Sequence, residues 1–116
     1  AASAGTISIY DQPLDTDLDY STNAAASIIK LTQTDKSTFA TALGDSLITV
    51  ADNSTINFLW YDVDTSEAVF GYSHENTDTP AENKIKAEDG CVEIARLAMS
   101  ASTYLHYLDA DNFAFV

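Results

Sequence analysis

The sequence is short of positive charge. It contains 5 Lys and Arg residues against 18 Asp and Glu residues, which gives a formal net charge of −13 at pH 7. Nucleic-acid binding and attraction to anionic membranes both depend on clustered Lys and Arg side chains. We therefore expect no direct nucleic-acid or membrane binding. We expect protein partners, reached by self-association or within a larger assembly.

Cysteine, glycine and long apolar runs are also scarce. The single cysteine, Cys91, excludes an intramolecular disulfide, and no His/Cys spacing indicates a zinc site. Four glycines are few for a phosphate-binding loop, and none of the familiar nucleotide or hydrolase motifs is present. The apolar runs are far shorter than the roughly 20 residues that span a bilayer. We expect a soluble protein without a cofactor, whose location is otherwise open and includes a virion or an extracellular assembly.

The chain nevertheless has the composition of a folded protein. Its 116 residues are 46% hydrophobic and 20% charged, close to ordinary globular usage. A chain of this length falls within the usual range of one domain and can bury a substantial core. We therefore expect residues 1–116 to form a single acidic domain.

Several segments have the pattern of strands. β-branched and aromatic residues with turn residues between them predict an antiparallel meander over 47–74, in which the middle run has bulky residues on both faces and should be central. A short helix capped by Asp35 and ending at Leu43 is predicted before the meander. The predicted strands are Thr6–Tyr10, Ser27–Thr32, Leu47–Ala51, Thr55–Val63 and Glu67–His74. From Asp11 to Asn23 we expect a solvated loop.

The segment after residue 78 has helical signals. Thr79, Pro80 and Glu82 form a capping box with proline at the first helical position. A break at Gly90 would leave a main helix from Cys91 to Leu108, about 27 Å long. Its apolar residues cover more than half of a helical wheel, which predicts burial on two sides. The sequence thus predicts an α+β domain, with a small antiparallel sheet (the meander over 47–74 plus terminal strands) packed on a long C-terminal helix.

Two features predict an interface. The segment Asn112–Val116 alternates like a strand and is apolar to its last residue, which favours pairing within the chain or with a neighbour. The predicted helix also presents a face of small residues. The candidate interface residues are Ala95, Met99, Ser102, Phe113, Phe115 and Val116.

The strongest candidate for a metal site is an acidic loop. Asp15, Asp17 and Asp19 alternate as carboxylates do at the start of a calcium loop, and such oxygens can converge on one cation. The match to an EF-hand then fails, because Tyr20 stands where the glycine should be and Ala26 where the bidentate glutamate should be. A solvated acidic loop is the ordinary interpretation.

No residue set predicts catalysis. His74 and His106 are the only histidines, and neither has the neighbours of a metal ligand or general base. Aromatic residues of the central run, with those opposite them on the next run, could form a platform for a planar ligand such as a sugar, although the ordinary interpretation is a core. These residues are Phe58, Trp60, Tyr61, Phe70 and Tyr72.

Three functions fit these features. The first is a non-catalytic structural or assembly protein, for example a virion (capsid or decoration) or surface-lattice subunit that makes protein–protein contacts. The second is an acidic inhibitor that mimics nucleic acid and occupies a basic cleft. The third is a small-ligand or carbohydrate-binding module.

Overall fold

The protein is mostly β-sheet. The computed structural model describes residues 9–19, 28–50, 55–74, 84–87 and 90–108, and strands hold 48% of these residues. The eight strands are β1 (Ile9–Gln12), β2 (Leu18–Asp19), β3 (Ile28–Leu31), β4 (Ile48–Thr49), β5 (Thr55–Asp62), β6 (Glu67–His74), β7 (Lys84–Ile85) and β8 (Val92–Ala98). The two helices, α1 (Phe39–Leu43) and α2 (Ala101–His106), are short.

In the described residues, the main sheet has five strands in the order β1-β3-β5-β6-β8. The first three strands are parallel to one another, and β6 and β8 run antiparallel to their neighbours. The long hairpin of β5 and β6 turns at residues 63–66. Its turn is closed by the Asp64 N–H, which donates to Asp62 Oδ1, and Ser66 takes the left-handed conformation that ends the turn.

A second sheet and α1 cover one face of the main sheet, which we call the inner face. The second sheet has the order β2-β4-β7. Phe39 of α1 meets Phe58 of β5 edge to face, with ring centroids 5.0 Å apart. The other face, which we call the outer face, packs on α2 through a smaller cluster that includes Leu59, Tyr61 and Tyr104. The largest core therefore lies between the two sheets.

The predicted α+β fold with a long C-terminal helix is wrong. Residues 92–98 form strand β8, and α2 has only six residues. The physical reason is a β-bulge: Phe70 pairs with Ala95 and the next residue, Gly71, pairs with Glu93, so Ile94 is the extra residue. The bulge places Glu93 and Arg96, three positions apart, on the same face. That spacing imitates a helical turn and explains why the pattern looked helical.

Gly71 is the residue of β6 that permits this bulge. A side-chain carbon on Gly71 would collide with the Val92 carbonyl oxygen and would come within 2.8 Å of Cys91 Sγ. Glycine inside a strand often marks such a close backbone approach. The position of β8 therefore depends on glycine, which has no side chain, at residue 71.

Other predicted elements have mixed outcomes. The hairpin of β5 and β6 and the central place of β5 are confirmed, but β4 belongs to the second sheet, so the three-stranded meander is wrong. Strand β3 and α1 lie within the segments predicted for them, although Thr38 caps α1 in place of Asp35.

The predicted loop after Asp11 contains part of β1 and all of β2. Of the terminal strands, only residues 9–10 of the first are described, and they lie in β1; the predicted strand at 112–116 and the capping box at 79–82 lie outside the described residues.

Candidate functional site on the edge strand β8

Strand β8 forms one edge of the main sheet and has unusually exposed apolar side chains. Val92, Ile94 and Leu97 are 54%, 56% and 54% exposed. Within the described part of the chain, β6 is its only strand partner. The backbone of an edge strand has N–H and C=O groups on its free side that can pair with another strand. This edge, with its exposed side chains, is the candidate site.

The two faces of β8 differ in chemistry. Paired residues of neighbouring strands lie on the same face, so Leu97, which pairs with Ala68, lies on the outer face, as does Val92. Arg96 pairs with Val69 of the inner-face core and therefore lies on the opposite face. The edge thus has an apolar outer side and a charged inner side.

Arg96 is surrounded by carboxylates on the inner side. Its Nη1 donates to Asp62 Oδ2 at 3.0 Å and to Glu67 Oε1 at 3.1 Å, and its Nε lies 2.9 Å from Glu93 Oε1. Nη1 also lies 3.2 Å from Thr65 Oγ1, and the guanidinium carbon is 5.9 Å from the centre of the Trp60 ring. One arginine thus links three strands, β5, β6 and β8.

This network shifts the pKa values of Asp62 and Arg96. Burial alone would raise the pKa of Asp62, but hydrogen bonds from Arg96, from the Asp64 N–H and from Thr65 outweigh it, and the pKa lies below its usual value. The hydrogen bonds to Asp62, Glu67 and Glu93 raise the pKa of Arg96 further above its already high value. Asp62 and Arg96 are therefore both ionised at neutral pH.

The short helix α2 covers the outer face over β3 and β5. The Tyr104 hydroxyl donates to the Leu31 carbonyl at 2.6 Å, and Lys30 Nζ donates to the Leu108 carbonyl at 2.8 Å. Both contacts hold α2 above β3. A helix of six residues is about 9 Å long, and neighbouring strands are about 4.8 Å apart, so α2 does not extend over all five strands. The outer side of β8 is left exposed for this reason.

The predicted cation ligands have other partners in this structure. Asp15 Oδ1 accepts a hydrogen bond from the Asp45 N–H at 2.7 Å, and Asp17 Oδ1 accepts one from the Leu47 N–H at 3.0 Å. These bonds join the loop after β1 to the segment between α1 and β4. In the described ranges, no group of three or more His, Cys, Asp or Glu residues could hold a metal ion. Cation binding by Asp15, Asp17 and Asp19 stays a prediction.

The histidines and the cysteine do not form a common site in the described residues. His74 Nδ1 lies 2.7 Å from Thr55 Oγ1 at one end of the long hairpin, whereas His106 ends α2 and lies beside the Tyr107 ring. Burial, with the charge of Glu93 adding to it, raises the pKa of the Cys91 thiol to about 11. A thiol with this pKa is almost fully protonated at neutral pH and is a poor nucleophile.

The aromatic residues of the hairpin belong mainly to the core. Phe58, Trp60 and Tyr61 are buried, which confirms the core interpretation for these three, and Phe70 and Tyr72 are half-buried. The Tyr61 hydroxyl donates to the Met99 carbonyl at 2.8 Å, which fastens the connection between β8 and α2. Trp60 is thus not available as a stacking platform.

The residues predicted as an interface do not share a helix face. Ala95 is exposed on β8, Met99 is half-buried beside the outer-face cluster, and Ser102 is exposed on α2. Phe113, Phe115 and Val116 lie outside the described residues. Their role as an interface stays a prediction. Of the six, Ala95 lies within the candidate site, whose main residues Val92, Ile94 and Leu97 were expected inside a covered helix.

None of the helices in the described segments is long and apolar enough to cross a membrane. Comparisons with protein-family models, with curated proteins and with solved structures found no match to this chain. A proposal about function therefore depends on the geometry and charge of the chain itself.

Proposed function

We propose that this chain is a non-catalytic assembly protein that contacts other proteins through β8. The observation behind this proposal is an edge strand whose Val92, Ile94 and Leu97 side chains are each more than half exposed. Pairing with a further strand would bury these side chains and satisfy the free backbone groups at the same time. Addition of a strand to an exposed sheet edge is a recurrent mode of protein recognition.

The bulge in β8 supports a specific contact over indiscriminate pairing. Bulges and charged residues are common protections against edge-to-edge aggregation. Here the bulge at Ile94 fixes the spacing between Glu93 and Arg96, so a partner strand must match an irregular edge. The net charge of −13 also keeps separate copies apart before assembly.

The geometry favours this function over the two alternatives. Mimicry of nucleic acid requires a row of free carboxylates, whereas Asp62, Glu67 and Glu93 converge on one arginine, and Asp15 and Asp17 accept backbone hydrogen bonds. A module for planar ligands requires exposed rings, and those of the central strand are buried. The kind of assembly, a virion or a surface lattice, stays a prediction.

The test is whether substitution on β8 releases the full chain from its native assembly. In extracts of the source cells or particles, we expect the wild-type chain to migrate with a mass well above that of a 12.5 kDa monomer. Leu97→Lys should shift it to the monomer position, because a charged side chain cannot be buried against a partner strand. The matched control is Ala40→Lys, on the exposed side of α1, which should leave the mass unchanged.

Two outcomes would refute the proposal. One is a monomeric wild-type chain in native extracts. The other is a Leu97→Lys chain that is folded, as judged by its circular dichroism spectrum and melting temperature, and is still fully assembled.

A further inference from the structure

We propose that the partner strand at β8 is basic, with apolar residues alternating with Lys or Arg, and that it comes from a different protein. This inference rests on the proposed function and specifies the chemistry of the partner. It follows from the charges on the inner side of β8, the apolar residues on the outer side, and the net charge of the whole chain.

The inner side of the edge has excess negative charge. One positive charge, on Arg96, meets three negative charges, on Asp62, Glu67 and Glu93, so the group carries two excess negative charges. The side chain of Glu93 is 48% exposed and that of Glu67 is 29% exposed. A Lys or Arg residue on the inner side of a partner strand would neutralise this excess at short range.

The outer side of the edge requires apolar residues on the partner. Residues of an added strand that lie opposite Val92 and Leu97 share their face and would cover them. Because side chains alternate between the two faces of a strand, a partner that matches both sides has apolar and basic residues in alternation. The structure thus determines a pattern for the partner and not only its overall charge.

A second copy of this chain fits the edge less well. Two copies would bring together two bodies with a net charge of −13 each. Antiparallel pairing of β8 with itself can place Glu93 near Arg96 of the other copy, but Arg96 already has three carboxylate partners within the chain. The excess negative charge would double and not cancel, which favours a basic partner.

The experiment measures the binding of labelled peptides to the full chain by fluorescence anisotropy. Three peptides of equal length are compared: valine alternating with lysine, valine alternating with glutamate, and the valine and lysine residues of the first peptide rearranged into two blocks. We expect the alternating basic peptide to bind at least about tenfold more tightly than either of the others, since charge and alternation both contribute. Its affinity should fall as salt rises from about 50 mM to about 500 mM, because salt screens exposed charges.

Variants and hydrogen exchange locate the binding site. Glu93→Lys should weaken binding of the basic peptide by about tenfold or more, since it replaces attraction by repulsion. Ala40→Lys adds one positive charge on the exposed side of α1, whereas Glu93→Lys changes the net charge by two units. Ala40→Lys should alter affinity by less than about threefold. Bound peptide should slow amide exchange in residues 92–98.

Several results would overturn the inference. Equal binding of the block peptide, or slowed exchange spread over the whole surface, would show that basic peptides merely coat an acidic protein. Dimerisation through β8 that strengthens with salt would identify a second copy as the occupant; the proposed function would then survive and this inference would fail. Binding that occurs only after residues 109–116 are removed would identify the chain's own C-terminal segment as the occupant, and would also overturn it.

Discussion

Strands β5 and β8 are the two neighbours of β6, yet their surroundings are opposite. Six of the eight residues of β5 are buried, whereas six of the seven residues of β8 are exposed and only Arg96 is intermediate. Both strands contain bulky apolar residues and both pair with β6. The difference arises because the second sheet and the two helices cover the main sheet around β5 and leave β8 uncovered.

The β5 and β8 parts of the main sheet should contribute differently to stability and to function. Burial of apolar surface is the main source of folding free energy, so the β5 half of the sheet should supply most of the stability. Exposed apolar residues at an edge contribute little to folding and are available for a partner. Three sets of substitutions test this division, beginning with the largest expected effect.

Two leucines on the strands that flank β6, Leu59 and Leu97, should differ strongly in their contribution to stability. Leu59 on β5 is 2% exposed and Leu97 on β8 is 54% exposed. Leu59→Ala should lower the free energy of unfolding by about 2–5 kcal/mol, since it removes buried methyl groups and leaves a cavity. Leu97→Ala should lower it by less than about 1 kcal/mol. Urea denaturation of both variants measures the contrast, and equal losses would show that β8 is part of the core.

The close approach at Gly71 gives a second test, which should disturb β8 and spare β5. Gly71→Ala adds a carbon that would collide with the Val92 carbonyl oxygen and come within 2.8 Å of Cys91 Sγ. We expect a loss of about 1–3 kcal/mol, as for other overpacked sites. Amide exchange should speed up in residues 92–98 much more than in residues 55–62, which act as the internal control. Unchanged exchange in β8 would mean that the bulge does not require glycine.

The smallest expected effect concerns pH and the Arg96 network. The folded pKa of Asp62 lies below its unfolded value, so its contribution to stability is present above about pH 4 and is lost as the pH falls through the folded pKa. Replacement of Arg96 by Met removes the main partner that opposes burial. The pKa of Asp62, followed by the NMR shift of its carboxyl carbon, should therefore rise in Arg96→Met.

A control variant assigns this titration. In Asp62→Asn, the carboxyl signal with the lowered pKa should disappear, and the acid-induced loss of stability should become shallower than in the wild type. A carboxyl pKa that is unchanged in Arg96→Met would show that the arginine does not stabilise the Asp62 charge.

The sequence was most informative where local pattern and tertiary packing agree. The runs Thr55–Asp62 and Glu67–His74 have β-branched and aromatic residues on both faces and a polar turn between them, and they form the long hairpin. Phe39–Leu43 forms the predicted short helix, which ends at Gly44, a residue whose φ of 64° suits glycine. In these segments the same residues satisfy both the local preference and the core.

The candidate site could not be predicted because its pattern is compatible with two structures. In Val92–Ala98 the bulge at Ile94 interrupts the two-residue alternation, and alanine and leucine favour helices in isolation. Residues 92–98 form a strand because β6 pairs with them and because Gly71 leaves room for the bulge. A glycine in the middle of the predicted strand 67–74 was the one signal that could have suggested a close approach or a bulge there.

The exposure of β8 was still harder to foresee. It depends on where α2 lies, and α2 is held over β3 by Tyr104 and Lys30 through contacts with residues more than 70 positions away in the sequence. Long-range contacts of this kind have no local signature. The apolar content of 92–98 thus predicted burial, whereas the structure leaves these side chains exposed.

The most direct test of β8 as the contact surface is amide hydrogen exchange of the full chain within its native assembly, compared with the purified free chain. We expect the amides of residues 92–98 to exchange more slowly in the assembly, and those of β5 to be equally slow in both states. Slowed exchange confined to other segments, with residues 92–98 unchanged, would contradict the claim that β8 is the contact surface.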